Sequence, residues 1–367
     1  VNLIITRDEL TAIATRAKAI VAPKASSPVL GCVILDVTAD GIDASAMQIG
    51  MGFEGQYTAN VSERGRAAVP AADLLMAIKS LPVGPISMSL NTTNLRLTLS
   101  AGKSKATIGT QDPADHPGLA KVDVNARMTV AGPDLLRVIN AVFLSMAESG
   151  SKLNLDGAYL DTSTAGMLRF VTTDGNRLAW SECPCSGNAP RKVFIPRAAI
   201  VEIRSMVEGF AGDVALAFDR NRAMIASIDG AKLTMNLAEV DFPEYRQVIP
   251  TAFKRSVSFD RQTMADTVKR LSVFDVVTLD VAFGEDGVKF VARKRDGGVN
   301  QGTAEMDAEL TGTPITLGMS PRILGDALSS CSGESVRFQI GDALSPIILD
   351  NADDSSALFV IMPMRLE

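Results

Sequence analysis

Few residues in this sequence have the types and spacings that covalent chemistry needs. The run Gly50-Met51-Gly52-Phe53-Glu54-Gly55 satisfies G-x-G-x-x-G. Glycines cradle a pyrophosphate only where they join a strand to a helix inside a βαβ unit. Here Phe53, Tyr57 and Val61 continue with strand-like spacing, so no dinucleotide site is expected. Cys183-Pro184-Cys185 offers two thiols, half of a tetrahedral zinc site, with no second Cys or His cluster to complete it. His116 is the sole histidine and precedes Pro117 in a turn, which makes a His-dependent triad improbable. No Ser or Cys sits in a nucleophile motif, and the carboxylates of Asp353-Asp354 fall in a polar turn where solvation explains them. The expectation is a chain with no catalytic residue, no cofactor and no metal.

Binding remains, and it needs surfaces set on folded elements. A chain of 367 residues is too long for one ordinary core, so two or three domains are expected. Hydrophobic residues make up 46% and aromatics 5%, which points to aliphatic packing. No apolar run approaches the ~20 residues of a membrane-spanning helix, and the first residues lack the build of a signal peptide. A soluble cytoplasmic protein with reduced thiols is expected. The net charge of −6 argues against a surface coated with basic residues, yet it permits one locally basic face.

The organisation is a threefold repeat. Val69-Pro70-Ala71-Ala72-Asp73-Leu74-Leu75 leads into Ala77, Ile78 and Leu81, a strand end followed by helical apolar spacing. The phrase returns at Ile195-Pro196-Arg197-Ala198-Ala199-Ile200 and at Met319-Ser320-Pro321-Arg322-Ile323-Leu324. A second strand-then-helix element also recurs. Leu3-Ile4-Ile5 precedes Thr6 and Glu9 at capping-box spacing, Met128-Thr129-Val130 precedes Leu135 and Val138, and Val257-Ser258-Phe259 precedes Met264 and Val268. Alternating runs such as Leu95-Arg96-Leu97-Thr98-Leu99 read as antiparallel hairpin strands. The pattern predicts an α+β protein of three similar domains over 1–122, 123–251 and 252–367, each with two helices on antiparallel sheets.

Specific motifs then resemble a known family. Val360-Ile361-Met362-Pro363-Met364-Arg365-Leu366 is similar to the ending of bacterial DNA polymerase III beta subunits, the sliding clamps. Thr173-Asp174-Gly175-Asn176-Arg177-Leu178-Ala179 resembles their central Thr-Asp-Gly-His-Arg-Leu-Ala motif, and Phe242-Pro243-Glu244-Tyr245 resembles the Phe-Pro-Asp-Tyr that closes their second domain. The resemblance spans the chain. It implies a non-catalytic processivity factor: a head-to-tail homodimer forming a six-domain ring, helices inside and sheets outside, that encircles double-stranded DNA. The implied partners are a clamp loader, the polymerase III alpha subunit and other proteins carrying a clamp-binding motif.

The resemblance also carries site residues. A partner-peptide groove between the second and third domains would draw on Leu155, Thr173, Gly175, Asn176, Arg177 and Leu178, on Pro243, Gln247 and Val248, and on Ile323, Leu344 and Pro346. The C-terminal run would add Val360, Ile361, Met362, Pro363, Met364 and Arg365. Met and Val suit an adaptable apolar floor, while Arg177 and Arg365 could hydrogen-bond the peptide. Lys24, Lys152 and Arg197 fall at or near DNA-contact positions, with Arg7, Lys79 and Arg137 on the paired helices as further candidates; the bland alternative is solvated surface charge. The implied dimer contacts are Ala106 and Ile108 against Leu271, Phe274 and the strand about Asn300 to Glu305.

The sequence departs from the family at several of these positions. Asn176 replaces a His, Gln247 an Arg and Ile323 a Tyr, so peptide preference is expected to shift. Small Ala106 replaces a bulky residue, and Ala44-Ser45-Ala46-Met47 replaces an Asp-Leu pattern, which leaves open a plasmid, phage or specialised second copy. Two rival readings stay open from the residues alone: an unrelated repeat enzyme with a carboxylate site, and a structural assembly protein with an exposed groove.

Overall fold

Three times the chain runs from a strand directly into an amphipathic helix, twice through a polar cap. The structure, a computed structural model, describes residues 1–21, 27–119, 121–150, 155–190, 192–220, 222–274, 276–351 except 294–300, and 353–366, without the side chains of residues 293 and 301. The strand Asn2–Ile5 leads into helix α1, Arg7–Ile20, where Thr6 accepts the backbone N–H of Glu9 as its cap. The carboxylate of that expected capping box goes elsewhere: Glu9 accepts from Thr58. Helix α2 covers Ala71–Ser80. Strand Ala126–Ala131 leads into α3, Gly132–Phe143, and α4 covers Arg197–Val207. Strand Arg255–Asp260 leads into α5, Arg261–Leu271, capped by Asp260, and α6 covers Pro321–Ser330, capped by Ser320. The helices pack in pairs, α1 with α2, α3 with α4 and α5 with α6. In α1 the buried face is Leu10, Ile13, Ala14, Ala17 and Ile20, the i, i+3, i+4, i+7 stripe that a helix lying on a sheet requires.

Compactness divides the chain into two units, Val1–Thr129 with Phe210–Leu237, and Val130–Gly209 with Ala238–Glu367. In the first, a five-stranded sheet runs in the order Asn60–Glu63, Asn2–Ile5, Ile86–Asn91, Arg96–Ala101, Ser104–Gly109. A larger sheet holds Asp213–Asp219, Ala223–Ile228, Ala231–Asn236, Met51–Tyr57, Ile42–Gln48, Cys32–Val37 and Gly65–Pro70. The glycine run 50–55 lies here: Gly50, at φ +83°, turns the hairpin, and Gly52 and Gly55 continue within Met51–Tyr57. No helix follows, so the G-x-G-x-x-G spacing is a strand feature.

In the second unit nine strands form one sheet, Lys192–Pro196, Gly157–Asp161, Met167–Thr173, Arg177–Pro184, Asp354–Ile361, Ile347–Asn351, Ser335–Ile340, Arg255–Asp260 and Glu309–Thr311. A four-stranded sheet, Gln301–Met306, Gly287–Arg293, Leu279–Gly284, Ile315–Met319, packs on it through Phe283, whose ring meets Phe338 edge-on at 5.9 Å. The repeat and the compact units differ because each seam between neighbouring repeats is a hydrogen-bonded strand pair. Leu233 pairs with Phe53 at one seam, and Leu178 pairs with Val360 at the other.

The connector after residue 237 belongs to the core. Tyr245, 2% exposed, joins Tyr159, Val171, Leu178, Phe194 and Val360, and Phe242 stacks on Tyr159 at 4.8 Å. Its polar tip is held by buried Asp161, which accepts the Tyr245 hydroxyl at 2.8 Å, an Arg246 nitrogen at 2.7 Å and the Ser163 N–H at 2.9 Å. Burial alone would raise the Asp161 carboxyl, but bonds from Ser163 and Tyr245 and the charge of Arg246 outweigh it and hold it below its ordinary 3.8.

The thiols sit in unreactive surroundings. Burial pushes Cys32 up to about 11 and Cys183 and Cys331 up to about 12, so they remain protonated at neutral pH. Among the described residues no three His, Cys, Asp or Glu side chains gather at metal-binding distance, and no helix is long and apolar enough to cross a membrane.

Asp161→Asn is expected to cost about 1.5–3 kcal/mol at neutral pH, the range for bonds to a charged acceptor. A carboxyl depressed in the folded state contributes fully above its unfolded value and loses that contribution as pH falls through the folded one. The difference between parent and variant in urea unfolding should therefore hold at pH 6–7 and shrink below about 3.8; a difference unchanged at pH 3 would contradict this account.

Candidate functional site

The motif from Thr173 to Arg177 is a hairpin turn held by its own polar groups. Gly175 takes φ +90°, a region other residues avoid. The Thr173 hydroxyl donates to the Arg177 carbonyl at 2.6 Å and accepts the Gly175 N–H at 3.1 Å. One Asp174 oxygen accepts the N–H groups of Asn176 and Arg177, as an Asx turn does. The other takes Arg177 Nε at 2.9 Å, while Arg177 Nη1 donates to Asp326 of α6 at 2.6 Å. Arg177 is thus a buried cation between two carboxylates. Its head makes both of these ion pairs within the protein.

Beyond the turn, Arg177–Pro184 pairs with Asp354–Ile361, and the Asn176 carbonyl accepts the Met362 N–H at 3.1 Å. An apolar cavity of about 380 Å³ opens at this seam. It gathers Leu155, Thr173, Gly175, Arg177 and Leu178 from one side and Val360 and Met362 from the C-terminal run, with Pro243 and Val248 from the connector. Two further residues, Asp241 and Tyr245, also line it and are not among the residues the resemblance implies. The Phe-Pro-Glu-Tyr motif was the available signal for Tyr245, since an aromatic two residues after the wall proline has to pack somewhere.

The remaining expected groove residues do not line that cavity. Met364 pairs instead with Gly318 on the edge of the four-stranded sheet, its N–H donating to that carbonyl at 2.8 Å, and its sulfur accepts from Thr278. Ile361, one residue from Val360 along a strand, is buried on the opposite face. Ile323 lies half-buried in α6. Gln247 is exposed in the short turn Tyr245–Val248, and Leu344 and Pro346 belong to the turn before Ile347–Asn351. Asn176 and Arg365 are exposed and Pro363 is half-buried, outside the cavity wall.

A second, polar cleft of about 440 Å³ adjoins the turn, lined by Phe143, Glu148, Asp174, Arg177, Arg197, Arg322 and Asp326 among others. The six helices carry eleven Lys and Arg against seven Asp and Glu, although the whole chain is net −6, so positive charge is concentrated on them. Several of these cations are tethered. Arg197 donates to the carbonyls of Met146 and Ala147 and lies 5.0 Å over Phe143. Arg7 donates to the carbonyls of Leu81 and Pro82 just past the end of α2. Arg137 bonds Ser356 and the Glu182 carbonyl and pairs with Asp134. Lys79 is exposed. Lys24 and Lys152 lie outside the described residues, as does Asn300.

The dimer candidates divide. Ser104–Gly109 and Gln301–Met306 each end their sheet, with no strand on the outer edge among the described residues. Ile108 and Leu271, however, turn into the protein's own interior, at 6% and 4% exposure, so neither side chain is available to a partner. Period-two alternation accounts for Ile108, which shares its face with the inward Ala101, and α5 uses Leu271 for its buried stripe. Ala106 and Phe274 are half-buried, and Val273 beside Phe274 is exposed.

Comparison with known proteins agrees along the whole length. Family models for the DNA polymerase III beta subunit match in order: its N-terminal domain over residues 1–120, its central domain over 129–244 and its C-terminal domain over 246–365. The beta sliding clamp of Caulobacter vibrioides is 26% identical over 348 residues, covering 92% of this chain and 93% of that one. Among solved structures, the beta subunit of Thermotoga maritima superposes with a TM-score of 0.91 at 21% identity over 100% of both chains, a likeness of fold. The Caulobacter crescentus beta sliding clamp, solved with polyethylene glycol bound, superposes with a TM-score of 0.89 at 25% identity over 100% of this chain and 99% of that one. With all three domain models matched in sequence order, the chain belongs to the DNA polymerase III beta subunit family, the beta sliding clamps, non-catalytic accessory subunits of the replicative polymerase.

Proposed function

We propose that two copies of this chain close head to tail into a ring around duplex DNA, and that the apolar cavity at the second seam tethers the polymerase III alpha subunit and other partners by a short peptide. The carrying observation is that cavity. Leu155, Leu178, Val360 and Met362 offer an apolar floor between the central and C-terminal domains, and Val248 and Met362 are exposed enough to receive an anchor. The Caulobacter crescentus structure supports the reading, since its polyethylene glycol is bound at a region assigned to beta-motif tethering. Arg177 shapes this groove with its stem; Asn176 and Gln247 would act at its rim.

A ring that slides must hold phosphates without reading bases, so its affinity should be electrostatic and its retention topological. The excess of cations on the six helices supports this, with Arg197 the best-placed candidate because its tether orients it. Lys79 and, from the sequence, Lys24 and Lys152 would add diffuse attraction. Ring closure falls to the free edges Ser104–Gly109 and Gln301–Met306, whose backbone groups would pair between copies, with Ala106, Val273 and Phe274 alongside. We assign the three domains to 1–122, 123–251 and 252–367, place the protein in the cytoplasm, where replication proceeds, and assign opening of the ring to a clamp loader.

Loaded by its clamp loader and ATP onto a nicked circle, the chain should co-elute with the DNA on gel filtration and should run off once the circle is linearised; equal retention on both forms would end the ring reading. Arg197→Ala should leave loading intact and flatten the dependence of log affinity on log salt by about one charge. A slope identical to the parent would remove Arg197 from the DNA face. Met362→Asp with Val248→Asp, both at exposed positions, should weaken a labelled peptide bearing Leu and Phe anchors about 100-fold while the dimer persists. An unchanged affinity would remove the groove.

A further inference from the structure

Arg177 lines both of the cavities described above, the apolar groove and the polar cleft. Its two carboxylate partners, Asp174 and Asp326, line only the cleft. The residue therefore stands between the two cavities, with its guanidinium paired to two carboxylates of the cleft. Asp174 is fixed by its own turn, where it also accepts two backbone N–H groups. Asp326 is different: it reaches across from α6, 149 residues away in sequence, and makes the shortest of Arg177's ion-pair contacts, at 2.6 Å.

We infer that Asp326 is a specificity-determining positioning residue. It does not touch the peptide; it keeps the Arg177 guanidinium out of the groove, so that the floor meeting an apolar anchor is neutral. The inference rests on the groove reading above. Its physical basis is the cost of leaving a cation buried without an anion. Arg177 is 6% exposed, and a buried cation stripped of one partner reorients toward the nearest space it can hydrate. Arg177 borders two such spaces, the cleft where Asp174 would still hold it and the groove, and Asp326 fixes it on the cleft side. Asp326, 29% exposed at the side chain, stays partly hydrated in the cleft, so forming the pair requires little desolvation on the acid's side. The same link ties α6 of the C-terminal domain to the turn of the central domain and holds the groove at one width.

The test combines a double-mutant cycle with a structure of the peptide-free protein. Affinity for a fluorescein-labelled peptide with Leu and Phe anchors is measured for the parent, Asp326→Ala, Asp326→Asn, Arg177→Met and the double variant Arg177→Met with Asp326→Ala. Asp326→Ala should weaken binding about tenfold, and Asp326→Asn, which keeps an acceptor, should recover most of it. In the Arg177→Met background, which has no cation to release, Asp326→Ala should have no further effect. A tenfold loss that persists in that background, or no loss in the parent, overturns the inference. The crystal structure of peptide-free Asp326→Ala decides independently of any peptide. A guanidinium turned into the groove supports the role, and one that stays on the cleft side overturns it even if the parent binds no peptide, a result that would count separately against the groove itself.

Discussion

The structure depends most on the backbone pairing of Arg177–Pro184 with Asp354–Ile361. Five successive residue pairs, from Arg177 with Ile361 to Ser181 with Ala357, fuse the central and C-terminal repeats into one nine-stranded sheet. A groove between two loosely docked domains would change shape with every fluctuation of their contact. A groove lying on a continuous sheet cannot, because its opposite walls are neighbouring strands held by the same hydrogen bonds. The other seam, Ala231–Asn236 with Met51–Tyr57, repeats the device between the N-terminal and central repeats. A repeat protein thus obtains rigid joints without large interfaces.

The groove walls follow from what else this sheet carries. Leu178 and Val360 face each other across the pairing and share a core with Tyr159, Phe194 and Tyr245. Tyr245 brings the connector down onto the sheet, and Asp161 locks its hydroxyl and Arg246 in place. Pro243 and Val248, on either side of that anchor, are thereby set as the third wall. The polar groups at the site serve mainly to place apolar ones. Arg169 shows the same economy: it bonds Glu182 twice, at 2.9 and 2.7 Å, lies 3.9 Å over Trp180 and donates to the Tyr245 hydroxyl.

What the sequence disclosed was what is local. The paired helices, the cap at Thr6 and the hairpins were readable because capping and periodicity act over a few residues. The lining contributed by Thr173, Leu178, Pro243 and Val360 is readable through family motifs, and Leu155 through the wider resemblance. Hidden were the contacts that cross the chain. Nothing near Arg177 announces its partner carboxylate 149 residues away. Met364 sits within a groove-like motif, but the edge of the four-stranded sheet offers its N–H a carbonyl. Ile108 looked like a contact residue of an edge strand, and only the register of Arg96–Ala101 against Ser104–Gly109 shows that it points inward. Charge behaved likewise. A net −6 conceals helices rich in cations, and the tethers on Arg7, Arg137 and Arg197 depend on carbonyls that only the fold brings near.

The central claim is that the seam between the central and C-terminal repeats is the partner site. It is tested most directly by a crystal structure of the chain with a bound Leu- and Phe-anchored peptide. The account predicts apolar anchors seated against Leu178, Val360 and Met362, the connector wall at Pro243 and Val248 in place, and the strand pairing at the seam unbroken. A peptide bound elsewhere, or a seam pulled apart to admit it, would contradict the account.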